Sequence, residues 1–572
     1  MEQRVVIFLV LSLAVILGYD FLLKQFGLLP ATPTTDQTVQ ETSTVNDLPA
    51  GGRDRDDHHP QTSSQVSSVR PDEERPSVSP GRSADNVTID TELIRAELNP
   101  RGGTIAGWKL KRYQVAVSDP QPVQLVYQGA KFRQPLSLTM SDQAVQQALQ
   151  EGLFSIEADT TKLDSAHPVG RVRMVYRDEG SGVQVRKELV FHHDSYVVDV
   201  TVSVEGGSKI ASYNVGLGTN FGIVEWGDGL IGQIGSASMV DGNLEKETPE
   251  SESERKGTVQ WLALQDKYFM AVLLPTTGSV AQVKKEGDKL LSASVQVPST
   301  VQPAAMRLYA GPKEYDTLRS LNVGLEDTID FGWFIFGSWS LVKAVAKPIF
   351  YVLRVINEYT HNYGITIILL TVIIKLLFAP LQYKSYKSMK QMQMIQPKVA
   401  ALQEKFKEDR DRLNKELIKL YRDHRVNPVG GCLPMVLQMP VFVALFNILY
   451  MTIDLRQAPF LLWIQDLSVQ DPYYVLPIVM GASMVVMQKI QPTTMDPTQA
   501  KIMLVMPVMM TFLFINFAAG LVLYWLTNNV LSVGQQLLTD RLFLGRWNLP
   551  ALQDAGSPSV EKRNEAGKGR KE

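Results

Sequence analysis

The chain is poor in cysteine, and its histidines do not suggest a metal site. Cys432 is the only cysteine among 572 residues, so no internal disulfide forms, even in an exported segment. The seven histidines show no spacing typical of metal ligands. The long β-type segment, residues 86–330, contains no recognisable nucleophile–base pair or phosphate-binding loop. We therefore expect no cofactor, no metal and no catalytic site.

Acidic residues are missing from most of the apolar runs. Residues 5–23 contain only Asp20 as a charged group, and the run is long enough to span a bilayer. Five later runs contain no Asp or Glu and a single cation, Lys375; they are residues 363–380, 434–453, 473–488, 503–517 and 521–538. Together the runs predict six transmembrane helices. A sealed ion or proton relay usually carries intramembrane carboxylates, so their absence argues against one.

Charge is divided unevenly along the chain and predicts an orientation. Residues 346–572 carry 25 Lys and Arg against 16 Asp and Glu, a net +9, which leaves −11 for residues 1–345. Twelve of the basic residues lie in the loop between the first two of the five later runs, whereas the next loop has only Arg456. Arg4 precedes the N-terminal run. By the positive-inside rule both termini are cytoplasmic and the segment after the first run is outside.

Four segments precede the five helices. Residues 1–29 are interpreted as an uncleaved signal anchor; a cleaved signal peptide is the alternative, although no small-x-small cleavage site follows. Residues 30–85 are rich in Thr, Ser, Pro, Asp and Gln and predict a disordered linker. Residues 86–330 alternate polar and apolar positions, as in "YVVDVTVSVE", and predict an antiparallel β-sandwich. Residues 331–360, with Trp333 and Trp339, predict an amphipathic helix at the membrane surface or one packed on the sandwich.

Lys375 interrupts an apolar run without an acidic partner. A charge at the bilayer centre costs about 2.5–3.5 kcal/mol on insertion scales. Thr371 lies one turn earlier on the same face, Gln438 adds an amide to the next run, and the last run has a polar stripe of Tyr524, Asn528, Ser532 and Gln535. These faces predict a wetted cavity open toward the cytoplasm. Snorkelling is the alternative, because Pro380 at the interface is only about 7.5 Å of helix rise away.

The basic loop, residues 383–428, has two apolar helical stripes. The first runs from Pro397 to Phe406, the second includes Leu413 and Leu420, and "KEDRD" separates them. This pattern predicts a cytoplasmic helical hairpin, with an ordinary connector as the alternative. The entry, "MKQMQMIQ", contributes an adaptable apolar surface from Met389, Met392 and Met394.

Four longer motifs connect the sequence to a known family. They are "NPVGGCLPMVLQMPVFVALF" from residue 427, "LRQAPFLLWIQDLSVQDPYYVLPIVMG" from residue 455, "QPTTMDPTQAKIM" from residue 491 and "GLVLYWLTNNVLSVGQQ" from residue 520. In these the chain closely resembles the bacterial membrane protein insertase family YidC, in its long Gram-negative form. The resemblance implies a polytopic α-helical membrane protein, with an insertase core of five transmembrane helices in residues 361–545 and a basic cytoplasmic tail in residues 546–572. It also implies that the periplasmic β domain is an all-β supersandwich similar to sugar-epimerase folds.

The resemblance further implies a non-enzymatic function. The family's single positive residue, which receives the polar part of a client in a hydrophilic groove, falls on Lys375, beside Thr371, Gln438, Tyr524 and Trp525. The commoner family residue at this position is arginine, and lysine lacks its planar five-donor fork. The implied partners are nascent membrane-protein clients, the Sec translocon (SecYEG and SecDF), the ribosome and signal recognition particle pathway, and the lipid bilayer.

Two other function classes remain open at this point. A secondary transporter would need acidic coupling residues or inverted repeats, neither of which is recognisable. A membrane-anchored periplasmic carbohydrate-binding or epimerase-like protein would need carboxylates or histidines that converge in a cleft of the β domain. The sequence does not place such side chains.

Overall fold

The computed structural model describes residues 85–178, 180–206, 210–224, 234–329, 340–406, 409–424, 426, 433–490 and 497–541. The predicted anchor (1–29) and tail (546–572) lie outside the described residues, as do Trp333, Trp339 and all of the linker (30–85) except its last residue.

The described N-terminal part is built almost entirely from antiparallel strands. They are β1 (Val87–Asp90), β2 (Ile94–Asn99), β3 (Thr104–Ala116), β4 (Asp119–Gln124), β5 (Leu138–Met140), β6 (Ser155–Ala158), β7 (Val169–Arg177), β8 (Gln184–His192), β9 (Val197–Glu205), β10 (Ser212–Thr219), β11 (Gly235–Val240), β12 (Asn243–Glu247), β13 (Ser253–Lys256), β14 (Val259–Gln265), β15 (Phe269–Pro275), β16 (Val280–Gly287), β17 (Leu290–Pro298) and β18 (Ala304–Pro312). Two short helices accompany them, α1 (Gln143–Glu151) and α2 (Tyr315–Ser320).

The strands form three sheets. Their orders are β1-β2-β3-β4, β13-β16-β17-β10-β5 and β12-β11-β14-β15-β18-β9-β8-β7-β6. In β9 the alternation seen in the sequence is confirmed, because Val198, Val200 and Val202 are buried while the residues between them are half-buried. In contrast, β15 is buried along its whole length. A continuous apolar run of this kind is typical of a strand covered on both faces.

The core joins the small sheet to the nine-stranded sheet. Trp108 of β3 is fully buried, its indole N–H donates to the carbonyl oxygen of Ala310 at 3.0 Å, and its ring lies 6.4 Å from that of Phe191. Lys187 is also fully buried, and its ammonium donates to three carbonyl oxygens, those of Gly102, Gly103 and Leu136. An ammonium has three donors, so this site satisfies all of them.

The C-terminal part is helical. Its helices are α3 (Ser340–Thr360), α4 (Tyr363–Lys405), α5 (Arg410–Asp423), α6 (Leu433–Met451), α7 (Val475–Ile490), α8 (Pro497–Phe514) and α9 (Ala519–Thr539). The expectation of a β-rich domain followed by a helical region is confirmed. Among the described residues, α4 alone is long and apolar enough to cross a membrane by length and composition, and shorter apolar helical stretches lie at Gln438–Met451, Val475–Ile490 and Val505–Phe514.

One sequence prediction about the basic loop is wrong. A new helix does not start at Pro397; instead α4 continues through Pro380 and Pro397 to Lys405. A proline removes one backbone donor and strains one turn, and a helix stabilised on both sides continues through it with only a local loss. The second helix of the predicted pair does form, as α5, and it is capped by Asp409, whose carboxylate accepts from the Arg412 N–H at 3.0 Å.

Helix α3 connects the β domain to the other helices. Val342, Ala346 and Leu353 are buried, and the helix packs on α6 and α4. Arg354 forms a bidentate ion pair with Asp316 of α2. The helix therefore contacts both parts of the chain, and its predicted position at a membrane surface stays a prediction.

Candidate functional site

The side chain of Lys375 is directed at a neighbouring helix. Its ammonium donates to the hydroxyl of Ser532 on α9 at 2.7 Å, and that hydroxyl donates to the carbonyl oxygen of Asn528 at 2.6 Å. The next two residues of α4, Leu376 and Leu377, are 69% and 73% exposed. The helix thus turns its cation toward α9 and its leucines outward, and no ion pair to Lys375 occurs in the part of the chain that the structure describes.

Local sequence features fix the start of α4. Asn362 caps the helix by accepting the Ile365 N–H at 3.1 Å, and its amide donates to the carbonyl oxygen of Phe460 at 3.2 Å. Gly364 follows in the first turn, where an added Cβ would collide with the Phe460 ring. The cap and the close approach together anchor α4 to the loop between α6 and α7.

Thr371 lies one turn before Lys375, but its side chain bonds within α4 and not to α9. The residue is 2% exposed, and its hydroxyl donates to the carbonyl oxygen of Ile367 at 2.6 Å. Its donor is thus satisfied within its own helix, as is usual for threonine in apolar surroundings. No hydrogen bond between Thr371 and Lys375 occurs among the described contacts.

An aromatic cluster lies on the same helix, α9, closer to its start. Tyr524 is buried and hydrogen-bonded to Gln438 of α6. The Trp525 ring lies 4.9 Å from that of Phe442 and 4.8 Å from that of Phe514. The structure therefore brings Gln438 to Tyr524 and Lys375 to Ser532, while Trp525 packs among rings.

Two polar contacts on α9 were not anticipated from the sequence. The Asn529 amide donates to the Ser483 hydroxyl at 3.0 Å, and the Gln536 amide donates to the Ile490 carbonyl oxygen at 2.6 Å, both on α7. Asn529 and Gln536 are seven residues apart and so share one helix face. The seven-residue spacing of Asn529 and Gln536 could have predicted this second polar face. The polar stripe identified from the sequence instead runs through Asn528 and Ser532.

A third unanticipated contact lies at the far end of α9. The ammonium of Lys390 on α4 lies 3.2 Å from a carboxylate oxygen of Asp540. Nearby on α4, Met389 and Met392 are half-buried and Met394 is 49% exposed. Phe406, just past the end of α4, lies beneath the charged groups of Lys405 and Arg412, at 5.5 and 5.4 Å from its ring centroid.

The β domain contains a cavity of about 510 Å³ on the nine-stranded sheet. Its polar lining comes from Asp199, Thr201, Gln260, Thr276 and Arg307. Asp199 is the one carboxylate in this lining, and it lies 3.1 Å from the imidazole Nε2 of His192. Among the described residues no group of three or more metal-ligating side chains comes together.

Comparison with known proteins places these features in context. Residues 355–545 match the family described as 60Kd inner membrane protein, and residues 86–352 match the family described as YidC periplasmic domain. The chain is 36% identical to the membrane protein insertase YidC of Geotalea daltonii and 37% identical to that of Pelobacter propionicus, and each alignment covers 95% of this chain and 99% of the relative. A crystal structure of an active YidC insertase aligns at 17% identity over 80% of this chain and 93% of that chain, with a TM-score of 0.35.

Proposed function

The chain belongs to the YidC family of membrane protein insertases, and on that premise we propose where and how it receives a client. It acts on membrane proteins at the inner membrane. The proposed receiving site is the contact between α4 and α9, where Lys375 meets Ser532. The observation that carries this proposal is the 2.7 Å hydrogen bond that directs the ammonium toward a polar helix face.

The proposed topology has six transmembrane helices. The anchor (1–29) is followed by a linker (30–85), a periplasmic β-supersandwich (86–330) and an interfacial helix (331–360). The core (361–545) contributes α4, α6, α7, α8 and α9, with the cytoplasmic hairpin (383–428) inserted after α4, and the tail (546–572) is cytoplasmic. The concentration of basic residues in the hairpin supports this orientation, since such loops stay on the cytoplasmic side.

Lys375 has donor capacity to spare. Its ammonium carries three N–H donors, and the structure uses one of them on Ser532. The other two have no hydrogen-bond partner among the described residues, and we propose that they bind a client carboxylate or carbonyl. The proposed client-binding groove contains these donors with Asn528 and Ser532 beside them, and its walls are Thr371, Gln438, Tyr524 and Trp525, of which Thr371 and Tyr524 are buried. Such partners reduce the free energy needed to take a client's polar segment part-way across the bilayer.

The client's apolar segment follows a different path. Leu376 and Leu377 are exposed on the outer face of α4, next to the site. An apolar client helix slides along this face and partitions into lipid, and the burial of its apolar surface provides the driving force. No covalent bond is made or broken in this scheme, so the chain works as a chaperone and insertase without a catalytic site.

The cytoplasmic end of α4 is the proposed entry. Met389, Met392, Met394 and Phe406 offer apolar contacts beside many basic groups, which suits a nascent chain delivered by the ribosome and the signal recognition particle pathway. The basic tail would contact ribosomal RNA through its phosphates. Cooperation with the Sec translocon (SecYEG and SecDF) completes the proposal, alongside Sec-independent insertion.

Charge reversal at Lys375 tests the site. In a strain depleted of its own insertase, Lys375→Glu is expected to abolish insertion of a small phage-coat-like client, while Lys375→Arg retains it because the charge is kept. Lys489→Glu is the matched control, since Lys489 is exposed at the end of α7. Normal insertion by a stably expressed Lys375→Glu variant would show that no positive charge is required there.

A further inference from the structure

The β domain is fastened to the loop that follows α6. The Arg456 guanidinium donates to the carbonyl oxygens of Gln114 at 2.6 Å and Val115 at 2.8 Å, and the Gln457 amide donates to the Gln114 carbonyl oxygen at 2.8 Å. Arg456 lies only five residues beyond Met451, where α6 ends. The end of strand β3 is therefore held at the level of the helix ends.

A second contact shows how closely the two parts approach. The ammonium of Lys267, in the turn between β14 and β15, lies 3.7 Å from the ring centroid of Tyr450. Tyr450 belongs to the last turn of α6 itself. The domain therefore touches the last turn of α6 directly.

Strand β3 runs toward this contact and past it. Trp108 donates to Ala310 inside the domain, the Tyr113 ring lies 5.7 Å from that of Phe269 at the start of β15, and Gln114 reaches Arg456. The chain then continues through the tip of the β3–β4 hairpin, residues 115–118. Val117 lies only about 7 Å of strand rise beyond Val115.

The hairpin tip is apolar and uncovered. Val115 and Val117 are 45% and 50% exposed, in a sequence "VAVS" without a charged residue. The loop between α6 and α7, which is fixed to the start of α4, exposes Leu461 and Leu462 as well. Apolar side chains grouped at the ends of membrane helices are suited to the interfacial layer, which is about 5–7 Å thick.

We propose that the tip of the β3–β4 hairpin is seated in the phospholipid headgroup layer of the leaflet beneath the β domain. The hairpin is then a membrane-contact element of that domain, held at the correct height by Arg456. Its partner is lipid, because the tip continues the surface of the membrane-embedded helices. The contact is independent of the client groove, so either proposal can fail while the other holds.

Depth-dependent fluorescence quenching tests the contact in the full-length chain. In a Cys432→Ser background, Val117→Cys or Ser181→Cys is labelled with an environment-sensitive dye and reconstituted in nanodiscs of phosphatidylethanolamine and phosphatidylglycerol. Ser181 is the control, because it lies in the β7–β8 turn. That turn is at the far ends of these strands, about 25 Å from the ends that approach the helices.

Nitroxide-labelled lipid headgroups are expected to quench the dye at Val117 several-fold more than at Ser181, and aqueous iodide is expected to do the reverse. A dye at Val115→Cys repeats the test at the neighbouring position. Equal lipid quenching at Val117 and Ser181 would overturn the proposal by placing the tip in water. Protection of Val117 from both quenchers would overturn it too, by placing protein over the tip.

Discussion

Lys375 and Ser532 are 157 residues apart in the sequence, yet their side chains are joined by a 2.7 Å hydrogen bond. The bond is charge-assisted, and it connects α4 to α9 at a point where no carboxylate pairs with Lys375 among the described residues. A cation that could extend toward water is instead held against a neutral hydroxyl. Replacing either side chain therefore affects the other, which makes the pair suitable for a double-mutant analysis.

Ser532→Ala is expected to lower the free energy of unfolding in detergent by about 1.5–3 kcal/mol, the usual contribution of a hydrogen bond to a charged group. In a Lys375→Met background the same change is expected to cost clearly less, because only the hydrogen bond from the hydroxyl to the Asn528 carbonyl oxygen is then lost. Thermal or denaturant unfolding of the four proteins measures the coupling. An equal loss in both backgrounds would mean that the two residues do not interact.

The junction between the β domain and α3 is expected to respond to pH. Burial raises the pKa of Asp454 to about 6, with a further contribution from the Glu314 carboxylate. Between 3.8, the ordinary pKa of an aspartate, and about 6, the folded protein therefore binds more protons than the unfolded chain, and its stability falls as pH rises through that window. Asp454→Asn removes this loss of stability, because asparagine carries no ionisable group. The variant is expected to be more stable than the parent at about pH 7, by at most about 3 kcal/mol, and equally stable at about pH 4.

Asp316 provides a control, because its pKa is shifted in the opposite direction to that of Asp454. The Arg354 guanidinium, which is hydrogen-bonded to it, lowers the pKa of Asp316. Its stabilising contribution is present at neutral pH and is lost as pH falls, so Asp316→Asn is expected to destabilise the protein at about pH 7 and progressively less in acid. Thermal unfolding across pH measures both variants. Parallel pH profiles for the two would contradict the assignment.

Lys187 is expected to be essential for the stability of the β domain. Lys187→Met leaves the carbonyl oxygens of Gly102, Gly103 and Leu136 buried without their donor. The expected loss is about 3 kcal/mol in the free energy of unfolding. Lys284→Met makes the same chemical change at an exposed position of β16 and is expected to be nearly silent. Intrinsic fluorescence during thermal unfolding of the full chain compares the two, and equal transitions would contradict this role.

Gly364 and Gly534 form a matched pair of helical glycines. A Cβ at Gly364 would collide with the ring of Phe460, whereas a Cβ at Gly534 meets nothing within 4 Å. Gly364→Ala is expected to destabilise the protein by about 1–3 kcal/mol through overpacking. Gly534→Ala is expected to be neutral or slightly stabilising, because alanine favours helix. Melting temperatures in detergent decide between them, and a stabilised Gly364→Ala variant would contradict the close approach.

Local sequence patterns predicted many of the strands and helices. The contacts between residues far apart in the sequence could not be predicted. Period-two alternation identified strands such as β9, since each strand buries one face and its pattern is visible within nine residues. The polar stripe on α9 and the cation on α4 were visible for the same reason. Their pairing through Lys375 and Ser532 depends on how two distant helices pack, which a single sequence does not contain.

The structure departs from the sequence predictions at three places. Pro397 suggested a helix start, but the turns on either side hold α4 together across it. Lys390 and Asp540 were both visible, yet nothing in their local surroundings indicated that they lie 3.2 Å apart. Thr371 has the expected position on its helix, but its buried hydroxyl donates to the carbonyl oxygen of Ile367, one turn earlier on the same helix.

The uninterrupted course of α4 has a mechanical consequence. A helix of 43 residues is about 65 Å long, which exceeds the thickness of a bilayer with its headgroups, about 40–45 Å. If the helix pivots rigidly about Asn362, Lys375 lies about 20 Å from the pivot and Lys405 about 65 Å. Pushing the far end sideways by about 5 Å moves Lys375 by about 1.5 Å, which is enough to pull it from Ser532. If a particle docks at Phe406, as proposed above, the sideways load that it applies reaches the hydroxyl of Ser532 along this one continuous helix.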